Sequence, residues 1–336
     1  MEENKAKKNW LMRLWSKPGS GQVITAILGL IVLSIVFGML NASFFSGRNI
    51  GNLLRQITST LITGIGQSYV MITANIDLSI GSVVGMSCMM SATLMTHGMN
   101  PWVAVLITML CCLLVGWVNG ELVARCKLPP FIATLGTMTI CRGIAQIVNN
   151  NYNTDSIGEG ATGFRNFFYY GKTLGLYNTI WIVIVLWLVF NFLLSRTRTG
   201  RYIYAIGSNV EAAKLSGVNV VKTTTIAYLV SAICSGVVGL VICATTGMGT
   251  MDAGNSYEMY AVAAGVIGGV SPLGGQGILL GTAVGASIWG VLQNGLQFAG
   301  APVAIRNIVI GIIVVVSVLF DVILRSGKRR HVKADA

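Results

Sequence analysis

The sequence predicts an all-α polytopic membrane protein of about ten transmembrane helices with both termini cytoplasmic. Three observations carry that reading. Apolar residues make up 54% of the 336 and charged residues only 10%, with a mean hydropathy of +0.72. Apolar runs of about 18–25 residues, long enough to cross a bilayer core of about 30 Å as helices, recur along the chain. The 23 Lys and Arg residues gather in short connections and at the chain ends.

Residues 1–20 form a hydrophilic tail with Lys5, Lys7, Lys8, Arg13 and Lys17. The apolar run at 21–42 is too long for a signal-peptide core and lacks a convincing small-residue cleavage site, so it reads as an uncleaved first span. Further spans are expected at 52–73, 78–96, 101–124, 129–148, 178–195, 223–246, 257–270, 273–297 and 303–325, ahead of a basic tail at 326–336. Those at 78–96, 129–148 and 257–270 are short or glycine-rich, the composition of half-helices and re-entrant segments. With the N-terminus cytoplasmic, seventeen basic residues fall inside and three (Arg48, Arg165 and Lys172) outside, while Arg55, Arg142 and Arg306 lie within spans. The positive-inside rule favours this orientation decisively. It makes 21–325 the transmembrane unit, with an external loop at 149–177 and a cytoplasmic segment at 196–222.

Positive-inside charge also accounts for the net +12, so nucleic acid is excluded as a partner and membrane lipid is the surrounding one. In the external loop, Phe164, Phe167, Phe168, Tyr169 and Tyr170 suggest a piece lying along the outer interface. The 41 glycines suit close helix packing, and Gly277, Gly281 and Gly285 are spaced to share one helix face. The seven cysteines lie almost all in apolar segments without a CxxC, and read as small buried hydrophobes.

The stretch from Thr197 to Lys222 is polar, basic and far longer than a connection between two spans requires. Turn residues stand at Thr199-Gly200 and Gly207-Ser208-Asn209. Asn209 to Gly217 then reads as a short capped helix, with Asn209 as N-cap, Glu211 at the positive end, Lys214 at the negative end and Gly217 as the stop. A short helix projecting from the cytoplasmic face is a handle for a soluble partner.

No catalytic constellation is present. The two histidines, His97 and His331, stand alone; no metal-ligand spacing, H-E-x-x-H, G-x-S-x-G or G-x-x-x-x-G-K-[ST] occurs. Charges within or near spans are the residues to weigh. Asp77, in Asn75-Ile-Asp-Leu-Ser-Ile-Gly81, either caps the next helix or serves the solute. Glu121 is spaced to pair with Arg125. Arg142 lies about 20 Å along its span, deep yet near enough to the outer face to snorkel. The prolines of Leu128-Pro-Pro-Phe131 open that span, where a missing N–H costs nothing. Its Thr134, Thr137 and Thr139 either offer hydroxyls to a polar solute or bond back to their own helix.

Taken together, Ile76-Asp-Leu-Ser-Ile-Gly81, Leu128-Pro-Pro-Phe-Ile-Ala-Thr-Leu-Gly-Thr-Met138, Arg198-Thr-Gly-Arg-Tyr-Ile-Tyr-Ala-Ile-Gly207, Glu211-Ala-Ala-Lys-Leu-Ser-Gly-Val-Asn219 and Gly268-Gly-Val-Ser271 resemble the permease subunits of bacterial ABC sugar importers. The resemblance is to the ribose, galactose, xylose and autoinducer-2 branch and runs from about residue 45 to 324. It implies a multi-pass protein of the bacterial cytoplasmic (inner) membrane and a solute path built by two permease subunits, the second a copy or a paralogue. It implies two cytoplasmic ATPase subunits, which bind the ATP and Mg, and a periplasmic or lipid-anchored sugar-binding protein. It further implies that 209–217 holds the coupling helix that enters a groove of the ATPase. Two departures, Tyr260 where relatives commonly carry Asp and Pro272 in place of an apolar residue, bear on the substrate.

The ATPase-coupling residues are then expected to be Gly200, Arg201, Asn209, Glu211, Ala212, Ala213, Lys214, Ser216 and Gly217. The translocation path is expected to use Asp77, Asn119, Phe131, Thr134, Thr137 and Arg142. An ion-coupled secondary transporter is the alternative, and it would rest on Asp77 and Arg142 alone. Because the spans offer mostly Gly, Ser and Thr, with a few amides such as Gln67, Asn119 and Gln293, a weakly binding path fits them better than a tight site.

Overall fold

A computed structural model describes residues 20–306 and, beyond them, 308–309, 311–313, 315–316 and 319. The basic tails expected at 1–20 and 326–336 lie outside the described residues, Ser20 excepted, as do parts of the span expected at 303–325.

The elements are helices almost throughout: α1 (Ser20–Leu40), α2 (Gly47–Ile72), α3 (Ile80–Thr96), α4 (Pro101–Ala124), α5 (Pro130–Ile147), α6 (Asn178–Arg196), α7 (Arg198–Ser208), α8 (Val210–Leu215), α9 (Val220–Thr246), α10 (Tyr257–Ile267) and α11 (Leu279–Phe298). Helical backbone resumes at 303. Local sequence explains several boundaries. Asn100 accepts the Trp102 N–H at 2.9 Å with Pro101 in the first turn of α4. Asn219 accepts the Lys222 N–H at 2.9 Å to open α9, and Gly247, at φ +71°, closes it in the left-handed region. The only strands among the described residues, β1 (Lys172–Thr173) and β2 (Leu176–Tyr177), form a two-residue hairpin through Leu174 and Gly175, both at positive φ.

Four helices, Val23–Leu40, Pro101–Ala124, Asn178–Arg196 and Val220–Thr246, are long and apolar enough to cross a membrane. Of the most apolar stretch of α9, 72% is buried, against 17%, 22% and 22% for α1, α4 and α6, so α9 is the inner post and the others face outward. The helices α2, α3 and α4 pack around α9, and α10 and α11 pack around α2. Two similar sets therefore meet at the α2–α9 contact: α9 with α3 and α4, and α2 with α10 and α11. Small residues bring the axes together. A Cβ on Gly116 of α4 would stand 2.8 Å from the Tyr228 carbonyl of α9.

Several expectations need correction. The helix expected over 257–270 stops at Ile267; at 11 residues it is about 16 Å long, too short to cross a bilayer. The next helix begins at Leu279 instead of 273, because Gly274, Gly275 and Gly277 all take positive φ. Gly277 therefore lies outside α11, and only Gly281 and Gly285 share the helix face; they abut the Gly268 and Ala264 carbonyls. Thr199-Gly200 is no turn: α7 runs straight through it, with Thr197 accepting the Gly200 N–H at 3.3 Å. Nor does the aromatic cluster lie wholly along an interface. Phe164 and Phe168 are buried against Leu240, Val241 and Ala244 of α9, which leaves Phe167 and Tyr170 outermost.

Candidate functional site

At one end of the bundle the polar segment folds as two helices. Asn209 Oδ1 accepts the Ala212 N–H at 2.9 Å, Glu211 and Lys214 occupy the first and last turns of α8, and Gly217 leaves it at φ +80°. Ser216 Oγ donates to the Ala212 carbonyl at 2.9 Å. Ala213 alone of α8 turns inward, against Ile206 and Val218, while Arg201, Glu211, Ala212 and Lys214 stay exposed. Gly200 is buried because the backbone of α7 presses on the Leu194 carbonyl. Leu215, which the sequence reading passed over, is 89% exposed at the end of α8. A bare leucine on a capped helix suits a partner's apolar groove.

Behind this handle, α7 meets the core backbone to backbone. A Cβ on Gly207 would collide with the Ile72 carbonyl at the end of α2. Gly275 N–H donates to that same carbonyl at 2.9 Å, and Tyr204 OH donates to the Gly277 carbonyl at 2.6 Å. Three separate stretches thus share one point: the end of α7, the end of α2 and the turn before α11. Burial pushes the Tyr204 phenol up to about 12.

From that joint the chain runs without helix through 73–79 into Asp77, which is 3% exposed. Asp77 Oδ1 accepts the Ser79 N–H at 2.9 Å and the Ser79 Oγ–H at 2.6 Å, and Oδ2 accepts from Ser231 Oγ at 2.7 Å. Asn119 Nδ2 donates to Ser79 Oγ at 3.0 Å, and Thr137 Oγ1 donates to Asn119 Oδ1 at 2.7 Å. One series of hydrogen bonds, Thr137–Asn119–Ser79–Asp77–Ser231, therefore joins the start of α3 to α4, α5 and α9 through three of the expected path residues. Thr134 bonds back to the Pro130 carbonyl at 2.8 Å, and Phe131 is 56% exposed at the start of α5. The expected Glu121–Arg125 pair is present at 2.9 Å.

Arg142 stands apart from that chain. It and Glu258 face a cavity of about 610 Å³, with Ser82, Thr139, Gln146 and Asn255 also on its wall. Arg142 Nη1 donates to the Met251 and Ala253 carbonyls at 3.1 and 3.0 Å. Glycines on α3 make the space. A Cβ on Gly85 would stand 2.8 Å from Arg142 Nη1, and one on Gly81 would strike the Glu258 carboxylate. Glu258 carried no sequence signal, since only the fold brings the start of α10 to that of α3. Among the described residues no group of His, Cys, Asp and Glu could hold a metal.

A helical bundle with bilayer-length apolar helices, a polar chamber and an exposed capped helix tied to its core is the architecture of a membrane permease. Residues 49–318 match the family described as branched-chain amino acid transport system / permease component, and the chain belongs to that family. It is similar to the ribose import permease protein RbsC of Haemophilus influenzae, 35% identical over 90% of this chain and 94% of the relative. Against the D-allose transport system permease protein AlsC of Escherichia coli it is 32% identical over 91% and 92% of the two chains. Against the autoinducer 2 import system permease protein LsrC of Shigella flexneri it is 30% identical over 92% and 90%. No solved structure matches.

Proposed function

We propose that this chain is the transmembrane permease subunit of an ABC importer that moves a monosaccharide or similar sugar-like solute into a bacterial cytoplasm. ATP hydrolysis belongs to a separate subunit, because the sequence has no phosphate-binding loop of its own. The observation that carries this reading is the capped helix α8, fixed to α7 and through Gly207 to the ends of α2 and the turn before α11. Such a helix can receive a push from a soluble partner and hand it to the bundle without slack. Relatives named for ribose, allose and autoinducer-2 import support the solute class. An external sugar-binding protein would set specificity, and a second permease copy or paralogue would complete the path.

The coupling residues are Gly200, Arg201, Asn209, Glu211, Ala212, Ala213, Lys214, Ser216 and Gly217, with Leu215 added at the tip. Arg142 lines the path, while Asp77, Asn119 and Thr137 brace the helices around it; Phe131 and Thr134 stand at the mouth of α5. The segregation of contacts supports ten passes with cytoplasmic termini, α10 and the helix-free stretch 247–256 together making one of them: α7 meets only one end of the bundle core, whereas Thr154 and Ile157 pair with Gly249 and Gly247 at the other. Asp77 offers an ion-coupled carrier no free carboxylate oxygen, since both already accept hydrogen bonds.

Reconstitution with the ATPase subunit and the binding protein tests the reading. Sugar uptake should require ATP on the side of Ser326, and a cysteine at Asn150 should react only from the opposite side. ATP-independent uptake, or labelling of Asn150→Cys and Ser326→Cys from the same side, would contradict it.

A further inference from the structure

We infer that the chamber between α3, α5 and the start of α10 is a transit site for a neutral polyhydroxylated solute, held between Arg142 and Glu258. The inference rests on the permease reading above and names the chemistry of its path. The cavity, about 610 Å³, falls in the range of about 300–1,000 Å³ usual for small-molecule sites. Met138 is the one apolar side chain on its wall; the rest are hydroxyls, amides, charged groups and Gly143.

The two charges face one space without forming an ion pair. Among the described residues the single ion pair is Arg125–Glu121. Arg142 Nη1 is drawn toward the Met251 and Ala253 carbonyls, which leaves its other donors without a partner among the described residues. Glu258 sits in the first turn of α10, where the helix dipole favours a carboxylate. It lies over Gly81 and accepts no hydrogen bond from another described residue. Close backbone approach sets α3 against the segment that leads into α10: Cβ atoms on Gly81 and Gly254 would each collide with the carbonyl of the other.

A separated cation and anion in a site of no net charge suit a ligand whose groups both donate and accept. A sugar hydroxyl does both, so adjacent hydroxyls can accept from the guanidinium and donate to the carboxylate. An anionic solute would meet repulsion at Glu258. A zwitterionic aliphatic amino acid could pair with both charges too, so leucine is the competing solute.

The test is uptake of radiolabelled D-ribose, D-allose, D-fructose and L-leucine by proteoliposomes holding the permease, its ATPase subunit and its binding protein. Losing a charged hydrogen bond in transit should lower the maximal sugar uptake rate at least about tenfold in Glu258→Gln and in Arg142→Gln. The half-saturation concentration, set by the binding protein, should stay put, and Glu258→Asp, which keeps the charge, should recover most of the rate. Leucine uptake in place of sugar uptake overturns the assignment, as does sugar uptake by both neutralised variants at the wild-type rate. Sugar uptake that persists without the ATPase subunit overturns the importer reading instead, and its dependence on the two charges still decides the chamber.

Discussion

Two places in this bundle bring backbones into contact through glycine, and they serve opposite ends. At the joint behind α7, Gly207 and Gly275 meet the Ile72 carbonyl with no ionisable side chain between the backbones and no space left over. At the chamber, Gly81, Gly85 and Gly254 bring α3 against the approach to α10, and the room they make holds an arginine and a glutamate facing a cavity. Direct backbone contact is incompressible and carries displacement. A polar space with unpaired charges can exchange water for hydroxyls and let a solute go. The same residue type thus closes a contact in one place and opens a cavity in the other, depending on whether side chains are admitted beside it.

Breaking the joint should cost most. Gly275→Val puts a Cβ 2.6 Å from Ser208 Oγ at a residue with φ +70°, so overpacking of about 1–3 kcal/mol adds to backbone strain of similar size. Much reduced thermal stability of the purified protein is the expected outcome, and wild-type stability would show that the contact is slack. Asp77→Ala comes next. It strips the acceptor from the Ser79 N–H and the Ser79 and Ser231 hydroxyls, at about 1–3 kcal/mol, and should loosen α3 without neutralising either chamber charge. An unchanged melting temperature would remove Asp77 from the bracing role. Tyr204→Phe is mildest, losing one hydrogen bond to the Gly277 carbonyl at about 0.5–1.5 kcal/mol.

The Tyr204 phenol also has a pH signature. Its folded value is raised from 10.0 to about 12, so its contribution is fully present below pH 10 and is lost as pH climbs through 12. The wild type should therefore lose stability across that window more steeply than Tyr204→Phe in a thermal melt.

Much of this was legible in the sequence because it is local. The span expected at 101–124 coincides with α4, and Asn209, Glu211, Lys214 and Gly217 stand where a capped helix needs them. Glu121 and Arg125 pair as helix neighbours should. What stayed hidden depends on distant partners or on competing local signals. Gly200 looks like a turn residue, yet it is glycine because α6 lies against it. Asp77 reads equally well as a cap and as a solute ligand until Ser231 and Asn119 are seen beside Ser79. Glu258 has nothing to mark it before the fold sets it opposite Arg142.

The central claim is that motion of α8 reaches the bundle through the contact of Gly207 with Ile72. Gly207→Ala tests it most directly, with sugar uptake and ATP hydrolysis measured together in proteoliposomes where the variant is as abundant as the wild type. The single methyl group must displace the Ile72 carbonyl. The account predicts continued hydrolysis with uptake largely lost. Uptake per ATP at the wild-type ratio would contradict it and place the route of coupling elsewhere.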